Sequence, residues 1–169
     1  MRINSEEIVL RDFTEGDVEN KVRWINDEQN NAFLHYDLPL TVETTKQWFY
    51  SKNNNRLDCV IEFSNVPVGV IGLLNVDKIN KKAEFYITLG QTEYKGRGIA
   101  KRSTLLLLKY AFDELGLQKV YLNVDAKNET ARALYEKCGF VLEGTFKKDL
   151  FHNGEFIDRC RYAIFKETK

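Results

Sequence analysis

The amino-acid sequence predicts an α/β (α+β) protein with a mixed central sheet of about seven strands and helices on both faces. Three apolar segments separated by polar turns indicate an antiparallel meander. A strand–helix–strand passage after them indicates a parallel pair with a right-handed crossover. Asn153-Gly154, a strong hairpin signal, indicates two further strands near the C-terminus. These observations give the order β-α-α-β-β-β-α-β-α-β-β, in a single domain over residues 1–169.

The first half of the chain begins with alternating apolar and polar side chains at 8–13, which predict a short strand. A helix from residue 18 is expected to fade in the polar run 26–31. Thr41 is a good N-cap for a second helix, and a loop joins the two helices. The meander strands are predicted at 57–63, 66–76 and 83–89.

The second half carries a long helix, predicted at 99–115, that is apolar on most sides and therefore packs broadly on the sheet. Gly116 is a natural stop after it. Asn128 is expected to cap a shorter helix that ends at Gly139. The remaining strands are predicted at 119–124, 140–151 and 155–165.

The overall charge is balanced, with 25 lysines and arginines against 25 aspartates and glutamates. The net charge of zero therefore gives no overall electrostatic attraction to nucleic acid or to a membrane surface. No apolar run reaches the roughly 20 residues that span a bilayer, and the first residues are too polar for a signal peptide.

The three cysteines are widely spaced and form no C-x-x-C pair, which argues against a disulfide framework and a zinc site. They predict reduced thiols in the cytoplasm, with Cys138 a packing residue. His35 and His152 lie far apart in the sequence and lack ligand spacing, so we expect no metal and two loop or surface histidines.

The segment Lys95-Gly96-Arg97-Gly98 leads directly into the long predicted helix. Glycine lets a ligand approach the main chain closely, and a helix N-terminus offers unpaired N–H groups to an anion. Lys95, Arg97, Lys101 and Arg102 add four positive charges. The dinucleotide and Walker A patterns both fail here, so the loop is predicted to hold phosphates of another ligand.

The segment Lys95–Ala100 resembles the pyrophosphate-binding loop of the acetyl-CoA-dependent GNAT family of N-acetyltransferases. The segment NETARALYEKCGF, Asn128 to Phe140, is similar to the distal coenzyme-binding helix of the same family. The resemblance covers residues 8–166 and is closest to the branch of ribosomal-protein alanine and spermidine N-acetyltransferases. It implies the GNAT fold, acetyl-CoA as cosubstrate and no metal.

The resemblance also implies roles for individual residues. Tyr135 would protonate the departing thiolate, and Glu84 would be the base, although it is also read as a solvent-facing residue beside two lysines. The residues implied to bind the coenzyme are Ile87, Thr88, Leu89, Lys95, Gly96, Arg97, Gly98, Ile99, Ala100, Lys101 and Asn128.

The acceptor is implied to be a primary amine on a small molecule or peptide, either a polyamine such as spermidine or a protein N-terminal α-amine. Amino-sugar nucleotides and aminoglycosides are alternatives. A non-catalytic acetyl-CoA-binding module is a hypothesis from another class, and a nucleotide binder is a third. A homo-oligomer is possible. The candidate acceptor-binding residues are Glu28, His35, Tyr36 and Asp37.

Overall fold

The computed structural model describes residues 1–168, which form one mixed sheet of eight strands with four α-helices. The strands are β1 (Arg2–Ser5), β2 (Ile8–Asp12), β3 (Leu57–Phe63), β4 (Val66–Asp77), β5 (Lys82–Leu89), β6 (Lys119–Asp125), β7 (Val141–His152) and β8 (Glu155–Phe165). The helices are α1 (Val18–Asn26), α2 (Val42–Ser51), α3 (Ile99–Asp113) and α4 (Glu129–Lys137). The spatial order is β1-β2-β3-β4-β5-β6-β8-β7.

The predicted fold class is confirmed, and the one parallel pair between described strands is β5–β6, as the crossover predicts. An eighth strand, β1, was not predicted. It pairs antiparallel with β2 after a turn at Glu6, where φ is +53°. Its side chains are mostly exposed, so its sequence lacks the apolar alternation that marks a half-buried strand.

The sheet carries helices on both faces, again as predicted. On one face, called the α3/α4 face, Leu107 and Ala111 of α3 and Tyr135 of α4 join the larger core cluster. On the opposite α1/α2 face, Val18 and Trp24 of α1 join the smaller core cluster. The three cysteines are buried free thiols.

The helix caps and the tight turn that the sequence predicts are present in the structure. The Thr41 hydroxyl accepts the N–H of Thr44 at 3.1 Å and caps α2. The Asn128 side chain accepts the N–H of Ala131 at 3.2 Å and caps α4. Asn153 and Gly154 have φ values of +50° and +77° and form the tight turn between β7 and β8.

The buried carboxylate of Asp58 on β3 forms a hydrogen bond to β5 across β4, the strand that lies between them. Asp58 is 5% exposed and accepts the Tyr86 hydroxyl at 2.5 Å. Gly72 of β4 lies between them in the register, and a Cβ there would lie 2.6 Å from the Tyr86 ring. Only glycine therefore lets Tyr86 cross β4 to reach Asp58.

Two cations complete the surroundings of Asp58. Arg56 donates to both carboxylate oxygens at 2.7 Å, and Lys52 Nζ lies at 3.1 Å. Burial by itself raises the pKa of Asp58, but the hydrogen bonds from Arg56, Tyr86 and Lys52 outweigh burial and the pKa is lowered. The carboxylate is thus held in its charged form inside the protein.

We expect Asp58→Asn to lower the free energy of unfolding by about 3 kcal/mol, because the change leaves buried cationic donors without their charge partner. Urea denaturation at pH 7 measures the change. Asp149→Asn is the matched control: Asp149 pairs with Arg159 at 2.8 Å but is about one third exposed. That substitution is expected to cost less than about 1 kcal/mol.

The pH dependence gives the same test a second readout. A lowered folded-state pKa means that the contribution of Asp58 is full above pH about 4 and is lost as the pH falls through the folded-state pKa. The stability difference between the wild type and Asp58→Asn should therefore shrink in acid. Equal effects of the two substitutions at pH 7 would contradict the assignment.

Candidate active site

The parallel pairing of β5 and β6 stops early. It joins Lys82 to Lys119, Ala83 to Val120 and Glu84 to Tyr121, and no later residues of the two strands are paired with each other. Both strands continue beyond this point, to Leu89 and Asp125. The space between residues 85–89 of β5 and 122–125 of β6 is called the β5–β6 gap.

The edge of β5 offers backbone groups to this gap. Gly90 donates its N–H to the Val68 carbonyl at 2.7 Å, so even-numbered residues of β5 bond to β4 in the antiparallel register. The N–H and C=O groups of Ile87 and Leu89 therefore point toward β6, from which they have separated. Thr88 directs its backbone to β4 instead. Extended ligands with amide groups are suited to such an open edge.

At the end of β5 lies the glycine loop, residues 95–98. Gly96 and Gly98 have φ values of +79° and +74°, and nothing lies within 4 Å of a Cβ built on either. Gly98 is the N-cap of the 15-residue helix α3. The loop therefore presents exposed main chain and a helix N-terminus to an anion.

The cations of this region are not equivalent. Arg102 Nη2 lies 3.0 Å from Glu6 and 2.8 Å from Glu7, so the structure corrects the expectation that its charge adds to the loop. Lys95 donates to the Asn30 side chain at 2.6 Å. Arg97 lies over the Tyr94 ring, 5.0 Å from its centroid.

Of the remaining coenzyme candidates on α3, Ile99 is buried in the core and Ala100 is half-buried. Lys101 is exposed and makes no hydrogen bond or ion pair within residues 1–168. It is therefore the cation in this group that is most available to a phosphate.

Helix α4 places Tyr135 on the α3/α4 face. Its ring packs edge-on against Phe85 and Phe140, with centroid separations of 6.2 and 5.8 Å. Burial raises the pKa of Tyr135 to about 12. The hydroxyl has no hydrogen-bond partner in the described chain, so a protonated phenol remains available at neutral pH.

Glu84 lies at the closed end of the gap, in the last pair that β5 forms with β6. It belongs to the α1/α2 face, opposite the face that holds Phe85 and Tyr135. Its carboxylate is half-buried and accepts a long hydrogen bond, 3.4 Å, from Asn75.

The α1–α2 loop, residues 27–41, is fixed by asparagine side chains that bond to backbone groups. Asn30 donates to the carbonyls of Trp24 and Gly90 at 3.0 and 2.9 Å. Asn26 exchanges two hydrogen bonds with the backbone of Leu40, and Asn31 donates to Ile25. The polar run was predicted only to end a helix, and its anchoring role was missed.

His35 reaches from this loop to the end of β6, where its Nε2 lies 2.8 and 3.0 Å from the carboxylate oxygens of buried Asp125. The His152 ring at the end of β7 lies 5.0 Å from the His35 ring. His35 lies in a loop, as expected, but its side chain is only 20% exposed, and its contact with His152 was not predicted. Asp125 was not predicted, and no signal in the sequence marks it.

The other acceptor candidates are more open. Glu28, Tyr36 and Asp37 are all exposed, and within residues 1–168 no hydrogen bond or ion pair joins one of them to another. Burial of its hydroxyl end raises the pKa of Tyr36, and the charges of Arg56 and Asp58 also act on it. Within residues 1–168 no group of three metal-ligating side chains occurs.

The comparison with protein families identifies the class. A model for the acetyltransferase (GNAT) domain matches residues 7–141, and the chain belongs to this family. The described helices include none that is long and apolar enough to cross a membrane.

Individual relatives show which members of the family this chain resembles. The chain is 36% identical to the spermidine N(1)-acetyltransferase of Escherichia coli over 107 residues, 63% of this chain and 57% of that protein. It is 30% identical to the spermidine N(1)-acetyltransferase of Vibrio cholerae over 166 residues, 96% and 95% of the two chains. A Bacillus subtilis protein provisionally named a ribosomal N-acetyltransferase is 33% identical over 66% of this chain and 61% of its own.

The three-dimensional structure is also similar to that of a solved spermidine N-acetyltransferase. The Vibrio cholerae spermidine N-acetyltransferase in complex with CoA and spermine superposes with a TM-score of 0.87 at 27% identity. The match covers 95% of this chain and 96% of that one.

Proposed function

We propose that this protein is an acetyl-CoA-dependent N-acetyltransferase that transfers the acetyl group to a primary amine by direct attack in a ternary complex. A polyamine such as spermidine is the proposed acceptor. The observation that carries the proposal is the full-length likeness to a spermidine N-acetyltransferase that binds CoA and spermine. The E. coli relative is matched over only 57% of its length, so the polyamine acceptor is part of the proposal.

The β5–β6 gap supports coenzyme binding. In this proposal the amide groups of pantetheine bond to the free backbone edge at Ile87 and Leu89, and Asn128 contacts the same arm from α4. Gly96, Gly98 and the N-terminus of α3 hold the pyrophosphate, to which Arg97 and Lys101 add charge. Lys95 joins them when it leaves Asn30.

Proton transfer is divided between two groups. An alkylamine with a pKa near 10 must lose a proton, at a cost of about 4 kcal/mol at pH 7. Tyr135 is the proposed acid for the thiolate, and its raised pKa keeps the phenol protonated. For the base, Glu84 is the residue that the family resemblance implies, and its side chain lies on the face of the sheet opposite Tyr135.

A protein N-terminal α-amine is the second acceptor, favoured by the similarity to the Bacillus subtilis relative. Exposed Glu28, Tyr36 and Asp37 remain proposed contacts of either acceptor. A cytoplasmic location and assembly with further copies are predictions of the same proposal. Nucleic acid and membranes are not proposed partners.

The direct test is thiol release from acetyl-CoA with spermidine, an alanine- or serine-starting peptide, a UDP-linked 4-amino sugar and kanamycin. We expect spermidine to give the highest kcat/KM. Release with none of the amines, together with a coenzyme-induced rise in Tm, would instead favour a non-catalytic acetyl-CoA-binding module. A rise in Tm with ATP or NAD but not acetyl-CoA would favour a nucleotide binder.

Tyr135→Phe is expected to lower kcat about 100-fold or more with little change in coenzyme affinity, because only the proton donor is removed. Steady-state kinetics and calorimetric titration with CoA measure the two quantities. Tyr110→Phe is the control, since it removes the hydroxyl of a half-buried tyrosine on α3. An unchanged kcat in Tyr135→Phe would remove Tyr135 from the acid role.

Lys101→Ala is expected to weaken CoA binding about 5- to 10-fold, since one exposed charge near the pyrophosphate contributes on the order of 1 kcal/mol. Arg102→Ala, one residue further along α3, should change the affinity less than twofold because Glu6 and Glu7 already neutralise Arg102. Titration at low salt measures both. A larger loss in Arg102→Ala would contradict this division of the cations.

A further inference from the structure

His35 and Asp125 form a pair with the features of an oriented base. An ionised carboxylate only accepts hydrogen bonds, so the His35 nitrogen facing it, Nε2, carries the proton. In the neutral imidazole, Nδ1 then keeps its lone pair. This atom is buried and has no hydrogen-bond partner among the described residues. Buried polar atoms without a partner are rare in folded proteins and call for an explanation.

The pair lies beside the β5–β6 gap. Asp125 follows Tyr121, the last residue of β6 that pairs with β5, by four positions, and Thr88 follows Glu84 on β5 by the same number. Asp125 is thus level with the part of β5 whose backbone edge is free. The Asp125 carbonyl also accepts the N–H of Asn128 at 2.9 Å, so the pair is one turn away from α4.

The pair and Tyr135 approach the gap from opposite faces. Val124 and Leu122 belong to the core of the α3/α4 face, so alternation directs the Asp125 side chain to the α1/α2 face. Tyr135 packs against Phe85 on the α3/α4 face. A thioester in the gap would have a base on one side and an acid on the other.

A purely anchoring role explains the pair less well. The α1–α2 loop is already held by Asn26, Asn30 and Asn31, which together make five hydrogen bonds to backbone groups. An anchor also needs only Nε2, and it gives no reason for the unpartnered Nδ1.

We propose, on the basis of the proposed acetyl transfer, that His35 is the catalytic residue that takes the proton from the acceptor ammonium, with Asp125 as its positioning residue. His35 takes this role in place of Glu84, which lies four residues back at the closed end of the gap. At about 3.3 Å per residue, Glu84 is roughly 13 Å along β5 from the level of Asp125.

Nδ1 removes one proton from R–NH3⁺, and the freed lone pair forms the C–N bond while the carbonyl π electrons move to oxygen. The carbonyl then re-forms, the C–S bond breaks and the thiolate takes the hydroxyl proton of Tyr135. The second proton of the nitrogen and the proton on His35 pass to solvent, and solvent reprotonates Tyr135. The net release is one proton for each ammonium acetylated.

The charged groups around His35 are few. Asp125 on β6 accepts from it, and the His152 ring on β7 lies beside it. Arg159 of β8 is the register partner of Asp125, but its guanidinium bonds to Asp149 of β7 at 2.8 Å. In its own loop Asp37 is two residues away and exposed.

The test compares the pH profiles of kcat/KM for the wild type, His35→Gln, His152→Gln and Glu84→Gln, with the best amine acceptor and saturating acetyl-CoA. Imidazole changes charge between pH 5 and 8, and the base must be neutral, so the wild-type rate should rise over this range. His35→Gln should lose this limb and fall 10²- to 10⁴-fold, with CoA affinity unchanged. His152→Gln should stay within threefold and keep the limb.

Three results would overturn the inference while acetyl transfer stands: His35→Gln within threefold of the wild type, a limb that persists in it, or a limb that Glu84→Gln removes instead. If His35→Gln also lowers Tm, the decisive measurement is rescue of His35→Ala by added imidazole, and no rescue overturns the inference. A wild type inactive with every amine would instead overturn the proposed function.

Discussion

The early end of the β5–β6 pairing is the constraint on which the site depends. If the two strands stayed paired to Asp125, the backbone groups of Ile87 and Leu89 would be bonded to β6 and closed to any ligand. Unpaired backbone groups in a covered position are costly unless something else satisfies them. In the proposed complex, a ligand with amide groups would supply that partner, and the glycine loop, which follows β5 after a short turn, would meet its phosphates. One break in a sheet thus creates both the slot for the ligand and the direction in which the ligand lies.

The α1–α2 loop is linked to the end of β5 and to the glycine loop. Asn30 bonds to the carbonyl of Gly90, where β5 ends, and its side-chain oxygen accepts Lys95 of the glycine loop. The loop that carries His35 is therefore tied directly to the segment that receives phosphates. In the proposed function, a phosphate at the glycine loop would compete with Asn30 for Lys95, so binding of the coenzyme would act on the α1–α2 loop through a single side chain.

The features predicted correctly from the sequence are those that depend on residues close together in the chain. The cap at Thr41, the turn at Asn153-Gly154 and the helix after Gly98 depend on residues within a few positions, and all were predicted. The gap was not, because the divergence of two strands leaves no local mark. The pairing of His35 with Asp125 and the approach of His152 were missed for the same reason: they join a loop to β6 and β7 across 90 and 117 residues. Strand β1 was missed because an exposed edge strand needs no apolar pattern.

The charges on the α1/α2 face differ between its two ends, and this difference bears on where the proposed amine acceptor would bind. At the end near Asp58, three cations surround one carboxylate: Lys52, Arg56 and Lys21, whose Nζ lies 3.5 Å from the Trp48 ring centroid. Burial lowers the pKa of Lys21 to about 8, because desolvation penalises the ammonium there. At the other end the buried charge is the carboxylate of Asp125, with His35 against it. In the proposed function, a cationic acceptor would be repelled from the first end and attracted to the second, so we expect selection among amines where the α1–α2 loop meets β6 and the β7–β8 hairpin.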